Sequence, residues 1–189
     1  MQENKSTEWW QSKPFMLSLM AAIGLLVTLQ IAQQVPQDPE PDVGADVGAD
    51  VETHVEHVED TGWEDVYAYH DDLGRANDIV IDALDDQNDA AFDVDRGRIS
   101  LGEFADVAEE SEREFERALR VLDGEPPSRF ADAHHLWQGG VDLLREGAGE
   151  ASRAARSHDV EGITRAEDLV REGGNRIAEA RAALPSSLE

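Results

Sequence analysis

Acids and histidines are the residues here best equipped for chemistry, and their spacing decides what they can do. The stretch Asp93-Val94-Asp95-Arg96-Gly97-Arg98-Ile99-Ser100-Leu101-Gly102-Glu103-Phe104 holds the ingredients of a calcium loop of the EF-hand type: paired acids, a glycine, an isoleucine and a distal glutamate. The register fails. With Gly97 as the turn glycine, ligand positions fall on Phe92, Val94 and Arg96. With Asp93 and Asp95 as ligands, the glycine and Glu103 arrive one residue late. The expectation is therefore loose condensation of non-specific cations on Asp85, Asp86, Asp89, Asp93 and Asp95. His54 and His57 stand three apart among Glu52, Glu56 and Glu59, a spacing that suits a transition ion on a helical turn. They lie in a segment with nothing to hold their geometry. Asp132 and His135 share that spacing, but a carboxylate-bridged di-iron bundle needs Glu-x-x-His on two helices, and none of the helical segments has it. No metal or cofactor is expected.

Nucleophilic catalysis has equally little to build on. The chain has no cysteine, and its serines sit at caps, in an apolar run or near the ends. Glycine-rich phosphate loops are absent, and acid pairs are too common to single out a general acid and base. A covalent heme motif is missing, and His70 with His134 as axial ligands, a lone histidine on each of two helices, is weak evidence for heme. The sequence reads as a non-enzyme. His70, Asn77, His134 and Trp137 fall on apolar stripes, so a core enclosing them must supply hydrogen-bond partners. His70 is a candidate partner for His134. Trp63, Tyr67 and Tyr69 form a candidate exposed aromatic patch where a stalk meets a helical domain.

The elements that must position these residues are helices. Trp63, Val66, His70, Leu73, Asn77, Val80 and Leu84 recur at spacings of three and four, which predicts a first helix from about residue 61 to Gln87 and a loop over 88–99. Ser100 and Glu103 fit a capping box, with Ile99 and Phe104 as a hydrophobic staple, and Val107, Ala108, Phe115, Leu119 and Leu122 continue the stripe. Gly124 and Pro126-Pro127 end that second helix. Pro127 suits the first turn of a third, whose stripe runs through Phe130, His134, Trp137, Val141, Leu144, Ala148, Ala151 and Ala155 to about Ser157. Asp159 caps a fourth, with Ile163, Ala166, Val170, Ile177, Ala180 and Leu184 on its stripe and Pro185 at its end. The fold class is all-α, an antiparallel up-down four-helix bundle over residues 61–185 with a short tail at 186–189. Folding the last two helices back near His158 sets Leu143 and Leu144 opposite Gly173 and Gly174, and Ile177 opposite Gly139 and Gly140. These glycines are expected to admit close helix approach.

Ahead of the bundle lies a different kind of segment. Residues 14–32 contain no Asp, Glu, Lys, Arg or His. As a helix they reach roughly 28 Å at about 1.5 Å per residue, near the ~30 Å hydrocarbon thickness of a bilayer. Trp9 and Trp10 precede the run, where amphipathic rings favour the headgroup layer. Lys5 and Lys13 are the only lysines and both lie before it; no Lys or Arg follows until Arg75. The positive-inside bias then predicts a cytoplasmic N-terminus at 1–13, a single transmembrane helix at 14–32 and everything later outside the cell membrane. A cleaved signal peptide is the rival, but Gln30-Ile31-Ala32 lacks the small-x-small site. Ser18 and Ala22 are spaced for close pairing of two spans. Residues 33–60, with Pro36, Pro39, Pro41 and valines at 43, 47, 51 and 55 among acids and glycines, read as an acidic stalk.

The formal net charge is −26, and of the 42 acids only Glu3 and Glu8 precede the span. Such a field repels phosphate backbones, which excludes a nucleic-acid partner, and it holds the domain off anionic lipid. An acidic surface without lysine suits a halophilic, high-salt setting, where screening removes self-repulsion. With no disulfide available, the core alone must stabilise the domain. The expected role is a structural, scaffold or accessory-subunit protein of a membrane or cell-surface assembly. The bilayer would be contacted through residues 14–32, with a protein partner or homo-oligomer outside. The alternative is a small-molecule or ion-binding bundle using a cavity near His70, Asn77 and His134.

Overall fold

In the computed structural model, residues 63–184 are described; the span, the stalk and the tail that the sequence predicts lie outside them. The described residues form four helices and no strand: α1 (Trp63–Asp95), α2 (Leu101–Val121), α3 (Ala131–Ser157) and α4 (Val160–Ala182). A 3-10 turn, Ser128–Phe130, leads into α3, so Pro127 precedes that turn and does not open the α-helix itself. The result is an all-α helical bundle. Each helix packs on the next in sequence, and α3 with α4 is the most intimate pair. The contacts fix the directions. Ser111 on α2 reaches the Ala83 carbonyl on α1, Arg156 on α3 reaches Asp106 on α2, and Gly140 on α3 meets Ile177 on α4. Consecutive helices therefore run antiparallel.

The first helix continues through the segment expected to be a loop. Its acids, Asp89, Asp93 and Asp95, suggest a loop, but Ala90, Ala91 and Val94 keep the stripe going and are buried with Phe104, Ala105 and Ala108. Gly97 ends α1, at φ +66. The Gly97 amide donates to the Val94 carbonyl at 2.9 Å and the Arg98 amide to that of Asp93 at 2.8 Å, the paired bonds of a Schellman termination. Gly97 is thus a helix stop, and the Asp93 carboxylate is taken by the Arg98 guanidinium at 3.0 Å. Ser100 then starts α2 through the capping box. Its hydroxyl accepts from the Glu103 amide, and the Glu103 carboxylate accepts from the Ser100 amide at 2.7 Å. Hydrogen bonds from the Ser100 amide and then the Ser100 hydroxyl hold the Glu103 carboxyl below its ordinary range.

The third and fourth helices meet along small residues seven apart. A methyl group added at Gly140 would lie 2.7 Å from Ile177 Cγ1 and 2.9 Å from the Gly173 carbonyl. At Gly147 it would lie 2.9 Å from Val170 Cγ2, and at Gly162 2.8 Å from Ala154 Cβ. Gly173 likewise faces the Gly140 carbonyl, at 2.7 Å, and Leu144, at 3.1 Å. Gly139, one residue round the helix, meets only the tip of Arg176. Gly174 is buried on α4, and Leu143 is half-buried beside Leu144. The turn between these helices is a second Schellman termination, with the amides of His158 and Asp159 bonding to the carbonyls of Ala155 and Ala154. His158 holds the left-handed position, at φ 57, that glycine fills after α1.

Candidate functional site

Buried polar residues mark two places in this core. The first is at the end where α1 enters, α2 leaves and α3 begins. Tyr69 is buried, stacks on Phe130 with ring centroids 5.2 Å apart, and shares an Oη–Nδ1 hydrogen bond of 3.2 Å with His134. Burial, with the neighbouring His135, lowers the His134 pKa, and burial raises that of Tyr69, so both groups are neutral near pH 7. Further along α1, and within the next turn of α3, Trp137 Nε1 donates to Asn77 Oδ1 at 2.7 Å. Both bonds join α1 to α3 across a stretch of sequence where spacing gives no warning of them.

Several expected site residues therefore change place. His70 is exposed, so it is neither a core residue nor a partner for His134. Tyr69 is drawn out of the expected surface patch into the core, while Tyr67 stays 59% exposed. The stripe of α1 passes through Val66, Tyr69, Ala76, Val80 and Ala83, one position round from the line of large residues through His70 and Leu73. Alanine allows this, because a helix pairs closely where its side chains are small. Trp63 opens α1. Asn77 and Trp137 come together, as do His134 and Tyr69; His70 joins neither pair. Among the described residues no group of three or more His, Asp or Glu side chains is arranged to hold a metal ion.

The second place is the middle of the bundle, which sequence spacing did not single out. The apolar core is divided into two clusters. One contains Val80, Ala83, Phe115, Leu144, Ala148 and Val170, the other Ala90, Ala108, Ala151, Ala154, Ile163 and Ala166. At the division each helix carries a buried polar side chain: Gln87 between Ala83 and Ala90, Ser111 between Ala108 and Phe115, Ser152 beside Ala151, and Glu167 between Ala166 and Val170. The Ser111 hydroxyl lies 3.1 Å from the carbonyls of Ala83 and Val107. Gln87 Oε1 and Ser152 Oγ have no protein partner. Leaving such a group unpaired costs about 1–3 kcal/mol. Glu167 is 8% exposed, and burial, with the adjacent Asp168, raises its carboxyl pKa to about 7 against the pull of Arg171. A signal for this layer existed in the sequence: Gln87, Ser111 and Glu167 interrupt their stripes at helical spacing. Ser111 and Ser152 depart from the expectation that the serines sit at caps, in the apolar run or near the ends, since both are buried within helices.

No family model, no curated protein and no solved structure matches this chain. Function must be argued from its own residues.

Proposed function

We propose that this chain is a membrane-anchored helical bundle that stands outside the cell as a structural, scaffold or accessory subunit. The observation that carries the reading is the charge-free run at residues 14–32, with both lysines before it and no Lys or Arg after it until Arg75. A bundle of the kind described, with tightly interlocked α3 and α4, suits the role of a rigid head on a stalk. Among the described residues no helix is long and apolar enough to cross a membrane, and the proposed anchor at residues 14–32 rests on the sequence. Partners in this reading are the bilayer, a protein or second copy outside, and non-specific cations on the acidic faces. The alternative, a ligand-binding bundle centred on His70, Asn77 and His134, has little support. Asn77 Oδ1 and His134 Nδ1 are engaged by Trp137 and Tyr69, and His70 lies outside. The intact mass of protein extracted from membranes tests the anchor. A chain that keeps residues 1–32 supports it, and one that starts near Gln33 contradicts it.

A further inference from the structure

We propose that the seam between α1 and α4 is a docking surface for a cationic amphipathic helix of a partner protein, with an arginine or lysine of that helix pairing with Glu167. The inference names the chemistry of the partner that the proposed accessory role needs, but it rests on the bundle and not on the anchor. In an up-down bundle the first and last helices are neighbours. Here α1 packs on α2, α2 on α3 and α3 on α4, whereas α1 and α4 make no extended backbone approach. Position round each helix shows what faces that seam. On α4, Gly162, Ala166, Gly173 and Ile177 lie against α3, and Leu169 and Arg176 mark the outer edge of that contact. Glu167 and Gly174 are buried on the opposite edge, beside exposed Thr164 and Arg171. On α1, Ala83 faces α2 through the Ser111 bond, so Ile81, Leu84 and Asn88, all half-buried, lie on the flank turned away from α2. Ile81 belongs to neither apolar cluster. Cross-helix contacts set the level. Ala83 with Ser111, Glu112 with Gly149, and Gly147 with Val170 place Glu167 within about one helical turn of Leu84.

Charge selects the occupant. Glu167 is nine-tenths buried, yet among the described residues no hydrogen bond or ion pair reaches its carboxyl. Arg171, one turn on, is paired with Asp168. The sealed side-chain oxygens without a partner are Gln87 Oε1 and Ser152 Oγ; the Glu167 carboxyl is not one of them, so its tip reaches the surface. Burial raises its pKa to about 7, and an incoming guanidinium or ammonium makes the charged form the stable one. The rim has the same sign. α1 carries acids from Glu64 to Asp95 and a single arginine, Arg75, which Asp72 takes. A second copy of this chain meeting the seam through its own α1 brings acid against acid, and anionic lipid or nucleic acid is repelled in the same way. A basic helix with an apolar face covers the half-buried side chains and supplies the carboxyl with a cation.

Binding of synthetic helices to the full chain in neutral detergent tests the seam, measured above binding to empty micelles and in molar sodium chloride, where attraction to exposed acids is screened. The probe is a peptide of about 18 residues with leucines at i, i+3, i+4 and i+7 on one face, arginines on the other and a photo-crosslinker, set against a scrambled peptide of the same composition. The ordered peptide should bind more tightly than the scrambled one. Glu167→Gln should weaken it by about tenfold, and Glu179→Gln, exposed elsewhere on α4, should change it by less than about twofold. Crosslinks should fall within residues 81–88 and 164–174. Equal binding of the two peptides overturns the proposal, as does equal loss in the two variants. Crosslinks confined to α2, or to the outer edge of α3 and α4, overturn it however tight the binding. These outcomes are the same whether or not the anchor reading stands.

Discussion

His158 shows how one side chain can work against its own backbone. Both Schellman terminations among the described residues need a residue in the left-handed region, and Gly97 meets that need without a Cβ while His158 does not. An L-residue with a Cβ pays roughly 1–2 kcal/mol there. His158→Gly is expected to raise stability by about 1 kcal/mol in denaturant melts, allowing for lost side-chain contacts, whereas His158→Ala keeps the strain and should gain nothing. The residue scale is also where sequence reading reached least far. Ser100 and Glu103 were legible because a capping box is local: each partner lies three residues from the other. Asn77 with Trp137 and Tyr69 with His134 were not, because their partners are set by the rotation of α1 about its axis. That rotation is fixed by Ala76 and Ala83, residues too small to stand out in a pattern of large apolar side chains.

Between elements, the decisive contact is that of α3 with α4. The hairpin register was readable from the turn at His158, since a short connection between helices of known stripe leaves few alternatives. Gly147 and Gly162 were not singled out, though Gly140, Gly147 and Ala154 fall seven apart on one face. The adjacent pair Gly139 and Gly140 separates close packing from mere looseness. At Gly140 an added methyl group meets the backbone of Gly173 and Ile177, which cannot yield, so Gly140→Ala should cost about 1–3 kcal/mol despite better helix propensity. At Gly139 it meets only the flexible end of Arg176, at 3.2 Å, so Gly139→Ala should be neutral or gain up to ~1 kcal/mol. Thermal melts of the two variants check the contrast; equal effects would mean that the helices are not in close contact. The same scale explains the misplaced end of α1. Acids at Asp89, Asp93 and Asp95 argue for a loop only if their neighbours are ignored, and Ala90, Ala91 and Val94 have a complete apolar surface on α2 to cover them.

The whole molecule is governed by charge and by its placement. In α2, α3 and α4 arginines answer many of the acids through pairs such as Arg156 with Asp106 and Glu109, or Arg165 with Glu150 and Asp159. In α1 the only basic side chain besides His70 is Arg75, paired with Asp72. Exposed pairs of this kind contribute little each, about 0–1 kcal/mol, so the unbalanced acid remains a cost that screening can lift. Molar salt shortens the Debye length to about 3 Å. The melting temperature of the full chain in neutral detergent should therefore rise by more than about 5 °C between 0.1 M and several molar sodium chloride. Equal melting in both would refute adaptation to high salt. Composition and charge pattern made this field legible, and they carry the proposal of an anchor at residues 14–32, but neither names a partner. Recognition depends on which side chains a folded surface brings together, and here one of the three aromatic candidates, Tyr69, turned inward while Tyr67 stayed exposed.

The proposed function depends above all on orientation, a span at residues 14–32 that would hold the acidic bundle outside the membrane. Protease treatment of intact spheroplasts expressing the full chain, followed by mass measurement of what the membranes retain, tests it most directly. The account predicts that the bundle is removed while a fragment containing residues 1–32 and part of the stalk stays in the membrane. A bundle protected until the membrane is broken, or a soluble protein lacking the first 32 residues, would contradict it.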